Sequence, residues 1–270
     1  MLVGLWGDIH GDYTWVRHAL PVFAARGITR VIQVGDFGIY SGFKGSKFLR
    51  KTAKLATGLG IDLYVVPGNH EGWDMINDLT DEATDFVTLW PGLHIAPRVH
   101  RWEWEGVSFA SLSGAPSVDR WWRTQAQAVD PVGARDYWFE AEAITPGQAM
   151  QMAEGGRADV MIGHDAPEGV ATIEQEIGHN PHGFRVADIL YAAEGRLRMA
   201  EAFRGVSPDL FVHGHYHFKV DEEIRSPGRD GWTRIFGLEC NNQEFNLGVF
   251  DTETRKAEHI SIFEGNQPNG

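Results

Sequence analysis

Five short segments of the chain combine glycine with acidic, amide or imidazole side chains, and each segment directly follows an apolar run. A strand that ends in a tight glycine turn can aim the side chains that follow it into a shared cleft. Five such turns predict one site with two carboxylates, one carboxamide and five imidazoles, a set suited to binding metal ions and using them for chemistry. The segments read Gly7-Asp8-Ile9-His10-Gly11, Gly35-Asp36-Phe37-Gly38, Gly68-Asn69-His70-Glu71, Gly163-His164-Asp165 and Gly214-His215-Tyr216-His217.

The first part of the sequence has the rhythm of an α/β fold. Apolar runs at 2–6, 31–34 and 61–66 are short and nearly continuous, which is typical of buried parallel strands. Segments with helical spacing lie between them, from about Thr14 to Ala25 and from about Lys47 to Leu59. Each predicted strand is followed by a glycine turn and then by a helix, so the pattern predicts βαβ units.

The rhythm changes after the third motif. Residues 84–113 alternate more and predict hairpins, among them Val99–Trp104 with Val107–Ser111. Residues 114–147 are polar and rich in tryptophan, and we interpret them as an irregular insertion or lid. Further on we predict a helix at Pro146–Gly155, a strand at Val160–Ile162, a loop at 165–185, a helix at Phe184–Glu201 interrupted near Gly195, a strand at Leu210–Val212, and strands near 232–238, 246–251 and 258–263. We expect a single domain over 1–265 and a frayed tail at 266–270.

Composition excludes several classes of partner. With 43% hydrophobic and 23% charged residues, the 270-residue chain has the composition of a globular domain. Its formal net charge of −13 repels a nucleic-acid backbone, so duplex nucleic acid is not expected as a partner. No apolar stretch is long enough to span a bilayer, and we interpret residues 1–6 as lacking a secretion signal. Since Cys240 is the sole cysteine, we expect a cytoplasmic protein.

The spacing of the polar groups suits paired metal ions. Asp8 and His10 are separated by one residue, so on an extended backbone they point to the same side, and His215 and His217 share this spacing. The carboxylate of Asp36 has two oxygens and can bridge two metals. Mixed oxygen and nitrogen ligands favour Mn, Fe, Co, Ni or Zn over Ca or Mg. Two ions about 3.5–4 Å apart would make a hydroxide nucleophile available near neutral pH.

Taken in order, the motifs Asp-x-His, Gly-Asp, Gly-Asn-His-Glu, Gly-His and Gly-His-x-His resemble those of the calcineurin-like metallophosphoesterase superfamily, over residues 8 to 217. The segment Ser113–Arg120, with Arg123, looks similar to bacterial and phage members. The resemblance implies an α/β fold, a four-layer α/β/β/α sandwich, with two divalent ions at the strand ends, Mn²⁺ being the first expectation and Fe, Zn, Ni or Co the alternatives. It assigns Asp8, His10 and His217 to one ion, Asn69, His164 and His215 to the other, Asp36 to both as a bridging and catalytic carboxylate, and His70 to the leaving group.

The resemblance implies a metal-dependent hydrolase of phosphate esters, a phosphodiesterase or phosphatase. In protein Ser/Thr phosphatases of the superfamily a Val-Asp-Arg-Gly run follows Gly-Asp, whereas here Phe37-Gly38 follows Asp36. Arg120 or Arg123 could replace the missing arginine as a phosphate ligand, beside Asn69 and His70. We expect a small phosphoester as substrate, or a nucleotide if the aromatic residues of 114–147 stack on a base and do not simply pack in a lid.

Several alternatives stay open. The chain could be a protein Ser/Thr phosphatase, a nuclease that acts on DNA ends, or a non-catalytic scaffold that retains the fold. Two carboxylates also have two interpretations each. Glu71 either orients His70 or begins the following helix, and Asp165 either orients His164 or caps a turn.

Overall fold

Two β-sheets form the centre of the protein. The structure is a computed structural model that describes residues 1–130 and 137–262. In chain order the strands are β1 (Leu2–Trp6), β2 (Arg30–Gln33), β3 (Asp62–Val65), β4 (Val87–Trp90), β5 (Leu93–Ile95), β6 (Val99–Trp104), β7 (Val107–Leu112), β8 (Val160–Gly163), β9 (Leu210–His213), β10 (Val220–Arg225), β11 (Trp232–Gly237), β12 (Leu247–Asp251) and β13 (Lys256–Ile260). One sheet has the order β13-β12-β1-β2-β3-β5-β4, and the other has the order β10-β11-β9-β8-β7-β6.

Helices connect most of the parallel strands. In chain order they are α1 (Tyr13–Ala25), α2 (Gly42–Gly58), α3 (Trp73–Thr80), α4 (Arg120–Val129), α5 (Pro146–Glu154), α6 (Ala171–Gly178) and α7 (Val186–Val206). The first helix begins at Tyr13 because the carboxylate of Asp12 accepts hydrogen bonds from the free backbone N–H groups of Thr14 and Trp15. Within the described ranges, every helix is too short or too polar to span a bilayer.

Side-chain alternation along β1 shows how the layers stack. Val3 and Leu5 point to one side, into a buried cluster shared with residues of the six-stranded sheet such as Phe109 and Val212. Trp6 points to the other side and packs in a second cluster with α1 and α2. A third cluster joins α5 and α7 to the outer face of the six-stranded sheet. The layers therefore run helix, sheet, sheet, helix, which confirms the predicted α/β/β/α sandwich.

Three expectations for the later part of the chain are wrong. Residues 165–185, predicted as a loop, contain α6. Helix α7 runs through Gly195 without interruption. The glycine is needed for packing, because Pro116 lies against the helix there and a Cβ would come within 2.1 Å of Pro116 Cγ. The segment 114–147 is not wholly irregular, since it holds α4. Its residues 131–136 lie outside the described part of the chain, as does the tail predicted at 266–270.

The five motif loops meet at one edge of the sandwich. Strands β1, β2 and β3 are parallel in one sheet, and β8 and β9 are parallel in the other, and each motif follows the carboxyl end of one of these strands. The imidazole of His164, after β8, makes a hydrogen bond of 2.8 Å from Nδ1 to the carbonyl oxygen of Val34, after β2. This bond crosses from one sheet to the other, so the candidate site lies on the seam between the two sheets.

Candidate metal centre

Four of the predicted ligands form a tight group at this seam. One ligand atom from each of Asp8, His10, Asp36 and His217 lies within 4.8 Å of all the others. His217 Nε2 is 3.0 Å from Asp8 Oδ2 and 3.2 Å from His10 Nε2. His10 Nδ1 is 4.0 Å from Asp36 Oδ2. The structure therefore brings together the residues that the sequence assigned to one ion, and it adds the shared carboxylate.

The second group of predicted ligands lies on the other side of Asp36. His164 Nε2 is 3.3 Å from Asp36 Oδ1 and 2.9 Å from the carboxamide oxygen of Asn69. The ring of His215 packs edge-on against the ring of His164, with 4.9 Å between their centroids. Asp36 thus presents Oδ1 to one group and Oδ2 to the other, which is the placement that a bridging carboxylate needs.

The backbone at these residues adopts an unusual conformation. His10, Asp36, His215 and His217 have φ angles of 51°, 55°, 70° and 61°. For a residue with a side chain this left-handed region costs about 1–2 kcal/mol, and such strain concentrates at functional sites. Four strained residues in one cluster therefore indicate that the loops are shaped for a task other than stability.

Two glycines make the close approach of the loops possible. A Cβ on Gly35, whose φ is +110°, would lie 2.1 Å from His164 Nδ1. A Cβ on Gly68 would lie 2.3 Å from Asp36 Oδ1. Since no side chain fits in either place, the glycines of the second and third motifs are required by the packing of the ligands themselves.

Glu71 has neither of the two roles considered from the sequence. Its Oε1 accepts hydrogen bonds from the backbone N–H groups of Phe37 and Gly38, at 2.6 and 3.2 Å, and its Oε2 accepts one from Gly68 at 2.8 Å. The carboxylate is fully buried. It therefore ties the loop that carries Asp36 to the loop that carries Asn69.

The two arginines predicted as phosphate ligands are used elsewhere. Arg120 Nε donates to Asp188 Oδ1 at 3.1 Å, and its guanidinium lies over the ring of Tyr191 on α7. Arg123 is only 5% exposed and forms an ion pair of 3.1 Å with Glu142. The structure places neither guanidinium among the described residues that line the cleft at the ligands.

Arg123 instead supports the carboxamide of Asn69 through a serine that the sequence did not single out. Asn69 Nδ2 donates to Ser117 Oγ at 2.8 Å, and Arg123 Nη1 also donates to this hydroxyl. The backbone N–H of Ser117 donates to Glu142 at 2.8 Å, and Arg123 Nη2 donates to the carbonyl oxygen of Asn69 at 3.2 Å. These bonds orient the carboxamide so that its oxygen faces His164. Ser117 lies in no motif, so only its position in space reveals it.

His70 lies beside the cluster, at the mouth of the cleft. Its backbone N–H donates to Asp36 Oδ1 at 2.8 Å, and its ring packs edge-on against the ring of His10 at 5.4 Å. Its Nε2 is 4.0 Å from the carboxylate of Asp119. This position, next to the ligands and open to the cleft, suits a group that exchanges a proton with a bound molecule.

The two carboxylates determine the protonation of the imidazoles around them. Burial would raise the pKa of Asp36, but the charges of His164 and His70 hold it well below its ordinary value. Burial opposes the charge on His164, yet Asp36 and Asp8 raise its pKa to about 10. The pKa of His217 rises to about 11 against the same cost of burial, since it hydrogen-bonds to Asp8. Burial and the nearby His164 lower the pKa of His215 to about 3.

This charge arrangement fits divalent cations. Two buried carboxylates require positive charge nearby, and His164 and His217 supply it as protons. A divalent ion can take the place of such protons, since imidazole binds metals in its neutral form. The carboxylate oxygens of Asp8 and Asp36 face imidazole nitrogens at 3.0–4.0 Å, and the low pKa of His215 keeps its imidazole neutral. The donor set therefore fits two ions that share Asp36, while the role of each ligand stays a prediction.

Two other polar residues lie close to the predicted ligands. Asp165 does not orient His164. Its Oδ1 accepts a hydrogen bond of 2.6 Å from the hydroxyl of Tyr216 and one from the N–H of Ala166, and burial raises its pKa to about 6. The thiol of Cys240 interacts with His217 and, after Asp8, contributes to the raised pKa of that imidazole. Tyr216 stands between the two histidines of the last motif, a position that could have drawn attention to it.

A cavity of about 610 Å³ opens directly from the ligand cluster. Asp36, Asn69, His70, His215 and His217 line one end of it. The rest of its wall comes from α4 and from the segment that runs through α6 into α7. The volume lies within the range of about 300–1,000 Å³ that is usual for small-molecule sites.

Comparisons with solved structures agree with this fold. The chain is similar in structure to the protein TT1561 of Thermus thermophilus, with 10% sequence identity and a TM-score of 0.54 over 97% of this chain and 98% of that one. It is also similar to a dimetal phosphatase from Danio rerio, with 13% identity and a TM-score of 0.51 over 92% and 91% of the two chains. No curated protein matches the chain in sequence.

At such low identity these two likenesses show the fold alone. The sequence itself is more specific. A family model described as calcineurin-like phosphoesterase matches residues 1–219, a range that contains all five motifs and ends two residues after His217. Since the match covers most of the chain and the strand-end ligands lie where the motifs predict, the chain belongs to the calcineurin-like phosphoesterase family.

Proposed function

We propose that this protein is a metal-dependent hydrolase of small phosphate esters, with two divalent ions bound at the cluster. The observation that supports it best is the position of Asp36, whose two oxygens face two separate sets of ligand atoms. Family membership supports phosphoester hydrolysis as the reaction class. Mn²⁺ is the metal we propose first, because the mixed oxygen and nitrogen donors suit it as well as Fe, Zn, Ni or Co.

The ligand assignment follows the two groups of side chains. Asp8, His10 and His217 would hold one ion, Asn69, His164 and His215 would hold the other, and Asp36 would be shared. When bound, such a pair of ions activates a water molecule for attack on phosphorus and neutralises the phosphate oxygens.

The residues of the chain supply orientation and proton transfer. Ser117 keeps the Asn69 oxygen directed at the cluster. His70 is the group we assign to the leaving oxygen, since it stands at the cavity beside Asp36 and its ring is not buried in the core. The cytoplasmic location stays a prediction that depends on the single cysteine, Cys240.

Three alternatives receive less support. A protein Ser/Thr phosphatase would need an arginine at the cleft, but Arg120 and Arg123 are paired with Asp188 and Glu142. A nuclease would need a basic path for the strand, and the net charge of the chain is −13. A non-catalytic scaffold would not need the complete donor set that this cluster retains.

The test is hydrolysis of bis-p-nitrophenyl phosphate and p-nitrophenyl phosphate, with Mn²⁺ and with chelator. We expect metal-dependent cleavage that falls by about a hundredfold or more in Asp36→Asn, the scale on which loss of an essential polar group acts. The matched control is Asp78→Asn, an exposed aspartate on α3, which should retain wild-type activity. Equal activity with and without chelator, or in Asp36→Asn, would contradict the proposal.

A further inference from the structure

The far wall of the cavity differs in kind from the metal end. Trp122 on α4 packs against Phe184, with 5.3 Å between ring centroids, and Ile177 and Ile189 line the same wall. Trp122 is 44% exposed even though it is a large aromatic residue. Exposed aromatic and branched apolar side chains inside a cleft are typical of a binding surface for an apolar group.

The charges along the cavity also restrict what it can hold. Among the described residues that line it, Arg196 is the one lysine or arginine, and it donates to Glu174 from Nη2 while its side chain is 9% exposed. Three carboxylates line the cavity beyond the predicted ligands. Glu176 is exposed, Asp119 lies 3.9 Å from Arg123 Nη1, and Asp165 is buried and hydrogen-bonded to Tyr216. A second phosphate or carboxylate on the substrate would find no unpaired arginine or lysine among these lining residues and would be repelled.

We propose that this wall is the subsite for the organic substituent of the phosphoester and that it takes an uncharged apolar group about the size of an aromatic ring. The inference rests on the proposed function, because the phosphate must first be held at the metal cluster. The subsite narrows the proposed substrate class from small phosphate esters in general to those with an uncharged substituent. Esters with an uncharged aryl group match this subsite, whereas nucleoside di- and triphosphates and other polyanions do not.

Three phosphonates test this without any turnover. Methylphosphonate, benzylphosphonate and (4-carboxybenzyl)phosphonate carry the same anionic group and differ in what would enter the subsite. Binding to the Mn²⁺-loaded protein is measured by calorimetry. Burial of the phenyl ring should make benzylphosphonate bind about tenfold or more tightly than methylphosphonate. The added carboxylate should remove this gain.

Variants locate the effect on the wall. Trp122→Ala should bring the affinities for benzylphosphonate and methylphosphonate close together. Trp121→Ala is the matched control, because Trp121 is the neighbouring residue, is similarly exposed, and does not line the cavity. It should retain the full preference for the benzyl compound. Glu176→Gln should restore part of the affinity for the carboxybenzyl compound, since it removes one of the opposing charges.

The outcomes separate the subsite from the activity on which it rests. Equal affinity for the three phosphonates, or tightest binding of the carboxybenzyl compound, would overturn the subsite and leave the proposed function standing. Loss of the benzyl preference in Trp121→Ala as well as in Trp122→Ala would also overturn it, because the effect would not belong to this wall. Failure of all three compounds to bind protein that holds Mn²⁺ would overturn the proposed function together with the subsite.

Discussion

The two walls of the cleft are built in different ways. The metal wall consists of strand ends from both sheets. Most of its side chains are buried and joined by hydrogen bonds such as those of Glu71 and Asn69, while His217 is exposed at its rim. The opposite wall consists of helices that follow the strands, and residues such as Trp122 and Ile177 are partly exposed on it. This difference indicates that the metal wall has little freedom to change, whereas the helical wall can vary and adjust specificity without disturbing the chemistry.

The largest effect should come from adding one methyl group to the metal wall. In Gly35→Ala the new Cβ would lie 2.1 Å from His164 Nδ1, on a backbone with φ of +110°. The imidazole must move, so we expect loss of metal at the second group of ligands and loss of hydrolysis by about a hundredfold or more. Metal content by mass spectrometry and bis-p-nitrophenyl phosphate hydrolysis measure this.

Gly27→Ala is the control for Gly35→Ala. Its φ is also positive, at +69°, but a Cβ there meets nothing within 4 Å. Only the backbone cost of about 1 kcal/mol should appear, in thermal unfolding, with metal content unchanged. Normal metal content in Gly35→Ala would show that the metal wall adapts more than its packing indicates.

A pH effect should follow from the protons on the metal wall. Asp36 and Asp8 raise the pKa of His164 to about 10, and Asp8 raises that of His217 to about 11, both against the cost of burial. At neutral pH the metal-free protein therefore carries protons that an ion must displace. Apparent Mn²⁺ affinity should rise with pH by about tenfold per unit for each displaced proton.

Calorimetric titrations at pH 6, 7 and 8 measure this dependence. In buffers of different ionisation enthalpy the same titrations count the protons released. Affinity that stays constant over these two units, with no proton release, would mean that both imidazoles are neutral before the ions bind. It would then contradict the account of the cluster as carboxylates balanced by protons.

A smaller effect is expected where the two walls meet, at Ser117. This residue precedes α4 and accepts the hydrogen bond from Asn69 Nδ2. Ser117→Ala should weaken the second ion by about 10–100-fold, as loss of a residue that orients a ligand does, and leave the first ion in place. The control is Ser113→Ala, a buried serine whose hydroxyl makes only a long bond of 3.4 Å to Pro97. Equal weakening in both variants would remove the positioning role.

The smallest effect should be on stability in the helical wall. Trp122→Ala removes a side chain that is 44% exposed, so the free energy of unfolding should fall by about 1 kcal/mol or less. Trp73→Ala, the reference in the core behind the metal wall, removes a buried ring whose Nε1 donates to the carbonyl oxygen of Gly68 at 3.0 Å and should cost about 3–5 kcal/mol. Urea unfolding of both variants compares them. Similar losses would mean that the helical wall is part of the core.

Prediction from sequence succeeded where local signals and packing agree. The convergence of the five motif loops was predictable because each follows a continuous apolar strand and a glycine turn, and parallel strands deliver such turns to one edge, while the metal-binding role of their side chains stays a prediction. Helix α6 was missed because Gly169 precedes it, Gly178 ends it and Pro181 follows it, and these residues indicate a loop. The direct contacts of Glu71 and Asp165 with backbone N–H groups also leave no trace in the sequence.

The arginines show why roles on the helical wall are harder to predict. Arg120 and Arg123 occupy the same helix one turn apart and have the same chemistry in the sequence. Only the tertiary structure shows that one packs on α7 and that the other is buried against Glu142. A short stretch of sequence shows that an arginine is present, but the residue that pairs with its guanidinium lies far away in the chain and is known only from the fold.

The position of the ligands on the seam has a consequence for how the protein acquires its activity. Asp8 Oδ2 lies 3.0 Å from His217 Nε2. The carboxylate of Asp8 also accepts a hydrogen bond from the backbone N–H of His215, which lies 207 positions further along the chain. Closing so long a loop costs conformational entropy before the contacts between its ends stabilise the fold, so such contacts form slowly. Neither sheet alone holds all the predicted ligands, so the proposed metal centre would form only after both sheets have docked. On the proposed assignment, a chain emerging during synthesis could not bind both ions until strand β9 and the loop after it have been made.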